Sequence, residues 1–208
     1  MALKTFVKIS TVNNLSDARY CAGMQVNLMG FNLEKDQSSY IDPAKYKEIT
    51  EWISGVAFVA EFEHTHPDSI LEIIKDYPSI EFIQINEKHQ LQMLLNTSYK
   101  LILKQHIDHL DKLEDLLTLA PSLEEQEVVL LLEADRDEIA ADEINILKKL
   151  TQSATVILGY GINPSDVEDI IQDTGISGIA LKGGEEIKPG LKDFDDLAEI
   201  LEKLEVEE

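Results

Sequence analysis

Eight short apolar runs alternate along the chain with longer stretches in which apolar residues recur every three or four positions. The runs are Phe6 to Thr11, Val26 to Phe31, Val56 to Glu63, Ile80 to Ile85, Lys100 to Lys104, Glu127 to Glu133, Ala154 to Leu158 and Ser177 to Lys182. Each has strand length, and most are nearly continuous in apolar residues, as parallel strands covered on both faces should be. The stretches between them are too long for hairpins and suit crossover helices. They predict helices over Asn14 to Met24, Pro43 to Ser54, Pro67 to Asp76, Glu87 to Asn96, Asp108 to Ala120, Ile139 to Thr151, Asn163 to Thr174 and Asp193 to Leu204. Asn13, Asp42 and Asn163 suit N-caps, and Pro43, Pro67 and Pro164 suit first turns, where the missing N–H costs nothing. A doubly wound sheet would leave some of these units unused, whereas a closed barrel uses all eight and has no edge strand. The pattern therefore predicts an α/β fold, a (β/α)8 TIM barrel in a single domain.

Length narrows this further. With 208 residues the chain is short for a barrel, so residues 1–208 form one domain with brief loops, ending in an acidic tail at about 203–208. The chain enters its first strand without a signal-type leader and holds no apolar run of about 18 residues, so a soluble cytoplasmic protein is expected. Its one cysteine, Cys21, allows no internal disulfide and falls in the first helix pattern as a small buried residue. Forty acidic against eighteen basic side chains give a net charge of −22. Such a field repels nucleic acid and anionic lipid, so neither is an expected partner. It repels a phosphorylated metabolite as well, which then needs local help from backbone N–H groups, a helix N-terminus or lysines.

That help is visible near the C-terminus. Gly159-Tyr160-Gly161-Ile162-Asn163-Pro164 follows the seventh run, and Lys182-Gly183-Gly184 follows the eighth. In (β/α)8 barrels these two loops often form a phosphate cradle, because glycine lets backbone N–H groups approach oxygens closely. Gly159, Gly161, Lys182, Gly183 and Gly184 are therefore the candidate phosphate ligands, the alternative being that the glycines only make tight βα turns. His64 and His66 follow the third run, and His106 and His109 the fifth. Neither pair carries a metal-ligand pattern, and ordinary polar loop residues are the plainer reading, so no metal and no cofactor is expected. His64, titrating near neutrality, is a candidate base.

Phe6-Val7-Lys8-Ile9-Ser10-Thr11, Asn14-Leu15-Ser16-Asp17-Ala18 and Met29-Gly30-Phe31 together resemble the opening of the phosphoribosylanthranilate isomerases, barrels of tryptophan biosynthesis. Tyr40-Ile41-Asp42-Pro43, Ile83-Gln84-Ile85, Gly161-Ile162-Asn163-Pro164 and Gly184 through Asp193 continue the resemblance in order. It implies an Amadori rearrangement: the ribose ring of an N-linked anthranilate phosphoriboside opens, and a proton leaves C2 to give an enol and then a ketone. The family uses a cysteine in Lys-Ile-Cys-Gly as base and an aspartate ending strand six as acid, and an arginine after strand two holds the substrate. By the resemblance Lys8 and Gln84 bind substrate; loop position offers Lys35 or Arg136 to meet the anionic aglycone in place of the family's arginine.

The catalytic positions depart from the family. Ser10 stands at the cysteine, Thr11 at the following glycine and Glu133 at the aspartate, while the loop arginine falls near Ser39. A hydroxyl is a far weaker base than a thiolate, and base catalysis is often worth roughly 100- to 10,000-fold. Glu133 keeps a carboxyl one methylene further out, as acid or as a structural partner at the barrel rim. Three readings follow: an isomerase of this type using Glu133 with Ser10 or a histidine, an enzyme on another phosphorylated metabolite, or a non-catalytic relative that binds a phosphometabolite or a protein. A monomer and a homodimer are both compatible with a barrel of this size.

Overall fold

The computed structural model describes residues 2–183, 186–188, 191–192 and 195–206. Eight parallel strands pair in chain order and close from the last onto the first. They are β1 (Phe6–Ser10), β2 (Leu28–Asn32), β3 (Ala57–Glu61), β4 (Ile80–Ile85), β5 (Lys100–His106), β6 (Val129–Glu133), β7 (Val156–Leu158) and β8 (Gly178–Lys182). Each lies within or overlaps its expected run. Helices α1 (Leu15–Gly23), α2 (Pro43–Thr50), α3 (Pro67–Ile73), α4 (Leu91–Leu94), α5 (Leu110–Glu125), α6 (Ala141–Leu150), α7 (Val167–Thr174) and α8 (Asp195–Lys203) follow the strands in turn. The fold is the (β/α)8 barrel that the pattern predicts.

Several boundaries differ from expectation, each for a local reason. Asn14, not Asn13, caps α1, its side chain accepting the Asp17 N–H at 2.9 Å. Asp42 caps α2 as expected, accepting from Ala44 and Lys45. Asn163 does not cap α7, which starts only at Val167; its amide donates to the Asp137 carbonyl at 3.1 Å and ties two loops together. Asp166 takes the cap position. Helix α5 continues through Pro121, since the buried stripe Leu113, Leu116, Ala120 and Leu123 continues across it and outweighs one lost hydrogen bond. A hairpin of β9 (Glu186–Lys188) and β10 (Leu191–Lys192) lies between β8 and α8. Gly184 and Asp193 lie outside the described residues. The expected acidic tail is partly pinned, with the Val206 N–H donating to the Ala2 carbonyl at 2.9 Å. Among the described residues, no helix is long and apolar enough to cross a membrane.

Strand periodicity divides the core into two shells. Outward residues such as Ile9, Phe31, Ile83, Leu103 and Leu132 pack beneath the helices, while Leu28, Val59, Phe82, Ile102, Leu131, Ile157 and Ala180 fill the barrel interior. Phe31 and Tyr46 meet edge to face at 5.0 Å, and Tyr46 meets Tyr77 at 5.2 Å, which fastens α2 to the barrel. Such pairs contribute about 0.5–1.5 kcal/mol each beyond their buried area. Further along the inward positions toward the C-terminal rim, one step on in most strands and two in β2, where Gly30 intervenes, the apolar filling stops. Ser10, Asn32, Glu61, Gln84, Lys104, Glu133 and Lys182 stand there, and alternation makes this step mandatory once the interior register is set.

Candidate active site

Beneath the rim lies a buried ion pair. Lys8 is 0% exposed, and its Nζ donates to Glu61 Oε1 at 2.5 Å and to Ser10 Oγ at 2.8 Å. Glu61 Oε2 accepts from the Thr11 N–H at 3.1 Å and the Thr11 hydroxyl at 3.2 Å. Thr11 has φ 56°, a left-handed conformation costly for a β-branched residue, and these two bonds to Glu61 hold it there. Lys8 thus lies in the floor and not on the wall of the cavity, and its partners are the Glu61 carboxylate and the Ser10 hydroxyl. Ser10 is 6% exposed, and its Oγ accepts from the Lys8 ammonium.

Above this floor is a small cavity of about 80 Å³ lined by Ser10, Gln84, Glu63, Lys104, Glu133 and Lys182, among others. Gln84 is 3% exposed, and its Oε1 has no hydrogen-bond partner among the described residues. A buried, unpaired amide oxygen facing a cavity is an acceptor held ready for a donor. Lys104 Nζ sits 3.3 Å from Glu63 Oε1 and 3.5 Å from Glu133 Oε2. Burial works against its charge, but Glu133, Glu63 and Glu61 outweigh burial and raise its pKa above the ordinary lysine value. Glu63 is itself held by Gln37 Nε2 at 2.5 Å.

Two wider grooves adjoin this cavity. One of about 610 Å³ shares Glu63, Lys104 and Glu133 with it and runs over Asn86, Lys88, His106 and Lys112. The other, of about 270 Å³, shares Lys182 and is lined by Gly159, Tyr160, Gly161 and Arg136. Gly161 has φ +64°, and a Cβ there would meet Ile139 at 2.5 Å, so this loop requires glycine. The Gly159 N–H is used by the Leu132 carbonyl at 2.7 Å. Arg136 belongs to this glycine-loop groove and not to the aglycone side where the sequence reading put it: its guanidinium lies 5.1 Å over the Tyr160 ring and pairs with the buried Glu143. The Tyr160 phenol is pushed up to about 12, by burial first and then by Glu143. Asp196, in the first turn of α8, also faces the groove and opposes an anion there.

Other sequence candidates fall elsewhere. Lys35 is exposed and does not line the cavity, where Gln37 and Ser39 stand instead. His64 is exposed and outside the cavity, its loop being held by Glu34, which accepts the N–H groups of Glu63, His64 and Thr65. The His66 side chain accepts from the Asp68 N–H at 3.3 Å at the start of α3. His106 Nε2 lies 3.1 Å from Asp108 and lines the larger groove. Among the described residues, no group of three or more His, Cys, Asp or Glu is arranged to hold a metal ion. Lys104, Glu61 and Glu63 were missed as site residues, although the two-residue period that places Ile102 and Val59 inside the barrel also places Lys104 and Glu61 there.

Comparison with known proteins agrees with this architecture. The family model described as N-(5'phosphoribosyl)anthranilate (PRA) isomerase matches residues 7–203. An N-(5'-phosphoribosyl)anthranilate isomerase of Sulfurihydrogenibium sp. (strain YO3AOP1) is 22% identical over 203 residues, covering 94% of this chain and 97% of that protein. A solved phosphoribosyl anthranilate isomerase in complex with reduced 1-(o-carboxyphenylamino)-1-deoxyribulose 5-phosphate superimposes with a TM-score of 0.75 at 20% identity, covering 96% and 98% of the two chains. Monomers generated from the dimeric enzyme of Thermotoga maritima give 0.77 at 19% identity, with the same coverage.

Proposed function

The chain belongs to the phosphoribosylanthranilate isomerase family, the isomerases of tryptophan biosynthesis, and we propose that within this activity Glu133 is the catalytic carboxyl, with phosphate bound at Gly161, Lys182 and Gly183, while Gly159, whose N–H is taken by Leu132, only shapes the loop. One observation carries the reading. The small cavity holding Glu133, Gln84 and Ser10 shares Lys182 with the glycine-loop groove and shares Lys104 and Glu133 with the larger one.

That succession matches the parts of an N-linked anthranilate phosphoriboside. The phosphate takes the glycine-loop groove, where Lys182 supplies positive charge that the acidic chain otherwise lacks. The ribose takes the small cavity, with a sugar hydroxyl donating to Gln84 Oε1. The aglycone takes the larger groove, whose volume lies within the usual range of ligand sites. Ser10 borders the ribose as a hydrogen-bonding group. The protein works without cofactor, in the cytoplasm, as a monomer or homodimer that sedimentation distinguishes.

The test is loss of anthranilate fluorescence from freshly prepared phosphoribosylanthranilate. Wild type should turn over, and Glu133→Gln should lower kcat by roughly 100- to 10,000-fold while folding normally. Wild type that leaves the substrate unchanged sinks the reading.

A further inference from the structure

We propose that Lys104 is the general acid of this reaction and that Glu133 is the base with which it exchanges the proton. The assignment rests on the isomerase reading above and reverses the role of acid that resemblance implies for Glu133.

The chemistry needs one group that gives a proton to the ring oxygen and one that takes a proton from C2. Ser10 is poor at either, since a hydroxyl neither gives nor takes a proton readily near neutral pH, and its Oγ lies against the Lys8 ammonium, whose charge is matched by Glu61 at 2.5 Å. Lys104 stands between two carboxylates, Glu63 at 3.3 Å and Glu133 at 3.5 Å, and all three border the small cavity and the larger groove; Glu63 is tied to Gln37, which leaves Glu133 as the one to exchange a proton. Of Lys104 and Glu133, Lys104 carries the proton. The carboxylates of Glu133, Glu63 and Glu61 hold it as an ammonium against its burial. Glu63, fixed by Gln37, anchors that ammonium from a second side at 3.3 Å.

The steps balance within the pair. The Lys104 ammonium protonates the ring oxygen as the C1–O bond breaks, and the anilino nitrogen lone pair forms the C1=N bond of an iminium. A sugar alkoxide is more basic than a lysine amine, so this transfer is downhill as the bond opens. The Glu133 carboxylate then takes the C2 proton, and the C–H electrons form the C1=C2 bond while the C=N electrons return to nitrogen. The carboxylic acid so formed returns its proton to the Lys104 amine. The enol ketonises with water, its hydroxyl proton leaving and C1 gaining one. No oxidant, metal or outside base is consumed.

Three replacements of Lys104 in the full chain test this. Lys104→Met should lower kcat by roughly 100- to 10,000-fold. Its affinity for reduced 1-(o-carboxyphenylamino)-1-deoxyribulose 5-phosphate, read by calorimetry, should stay within a few-fold of wild type. Lys104→Arg keeps the charge but cannot release a proton near neutral pH, and should be as slow. Lys104→Cys followed by aminoethylation restores an amine less basic than lysine. It should recover turnover with the alkaline limb of the rate profile moved to lower pH, while the buried Cys21 stays unmodified. Near-wild-type kcat in the arginine or methionine variant, with wild type active, overturns the acid role and leaves the isomerase reading standing. Absence of turnover in wild type overturns both.

Discussion

Glu61 fills the space that any side chain at position 30 would need: a Cβ built on Gly30 would lie 1.9 Å from Glu61 Oε1 and 3.0 Å from Lys8 Nζ. The glycine in β2 thus makes room for an ion pair formed by two neighbouring strands. Breaking a buried pair by displacing one partner commonly costs about 3–5 kcal/mol, because the other charge stays buried and uncompensated. Gly30→Ala should therefore lower the unfolding free energy by about that amount, read from urea unfolding. A loss under about 1 kcal/mol would mean that Glu61 swings aside without strain.

Replacing Ser10 by cysteine puts a thiol where Lys8 Nζ now donates at 2.8 Å. A thiolate beside an ammonium is stabilised, so the new thiol should titrate below the free value of about 8.5. Alkylation rate against pH reads this directly, because the other cysteine, Cys21, is buried. The same variant should turn over faster than wild type, since it gains a base that the serine lacks. A thiol titrating at or above the free value would show that Glu61 neutralises Lys8 too fully to help.

Glu34 governs the loop after β3. Its carboxyl is held below the ordinary glutamate range: burial pushes it upward, but hydrogen bonds from the Thr65 hydroxyl and the N–H groups of Glu63, His64 and Thr65 outweigh burial. A depressed folded value means that its contribution is present above the unfolded value, near 4.3, and is lost as pH falls below that through the folded value. Glu34→Gln should flatten the decline of stability in that acid window. It should also speed amide exchange at Glu63, His64 and Thr65 at neutral pH. Unchanged exchange would show that the loop is held by other contacts.

Arg136 joins the glycine-loop groove to α6. Its partner Glu143 is 1% exposed and also accepts the Ala140 N–H at 2.9 Å at the start of that helix. Arg136→Met leaves this carboxylate buried without its cation, and about 3–5 kcal/mol of stability should be lost in thermal or urea unfolding. The Tyr160 phenol, now near 12, should rise further once the nearby guanidinium is gone, because Glu143 then acts on it alone. Spectroscopic titration of the tyrosines reads that shift, and an unmoved phenol would deny the contact.

Apolar periodicity alone predicted eight strands and eight helices, because a strand covered on both faces and a helix covered on one leave different spacings in the chain. Asp42 was legible as a cap for the same local reason: its side chain reaches N–H groups only two and three residues away. The glycine loops after β7 and β8 were legible from their position in the repeat, and Glu133 from its place at the end of the sixth run. Long-range relations were not. Lys8 and Gln84 sit in similar surroundings in the sequence, yet Lys8 pairs with a residue 53 positions away beneath the floor, while Gln84 is left with an unpaired oxygen facing the cavity. Lys104 read as an isolated charge in an apolar strand until barrel closure brought Glu63, from the loop after β3, and Glu133, at the end of β6, to it. His64 and Lys35 follow the right strands, but their loops turn those side chains outward. Local spacing fixes which segments are strand or helix, because those choices depend on near neighbours. Which charges meet at the rim depends on closure and strand register, and those are set by the packing of the whole interior.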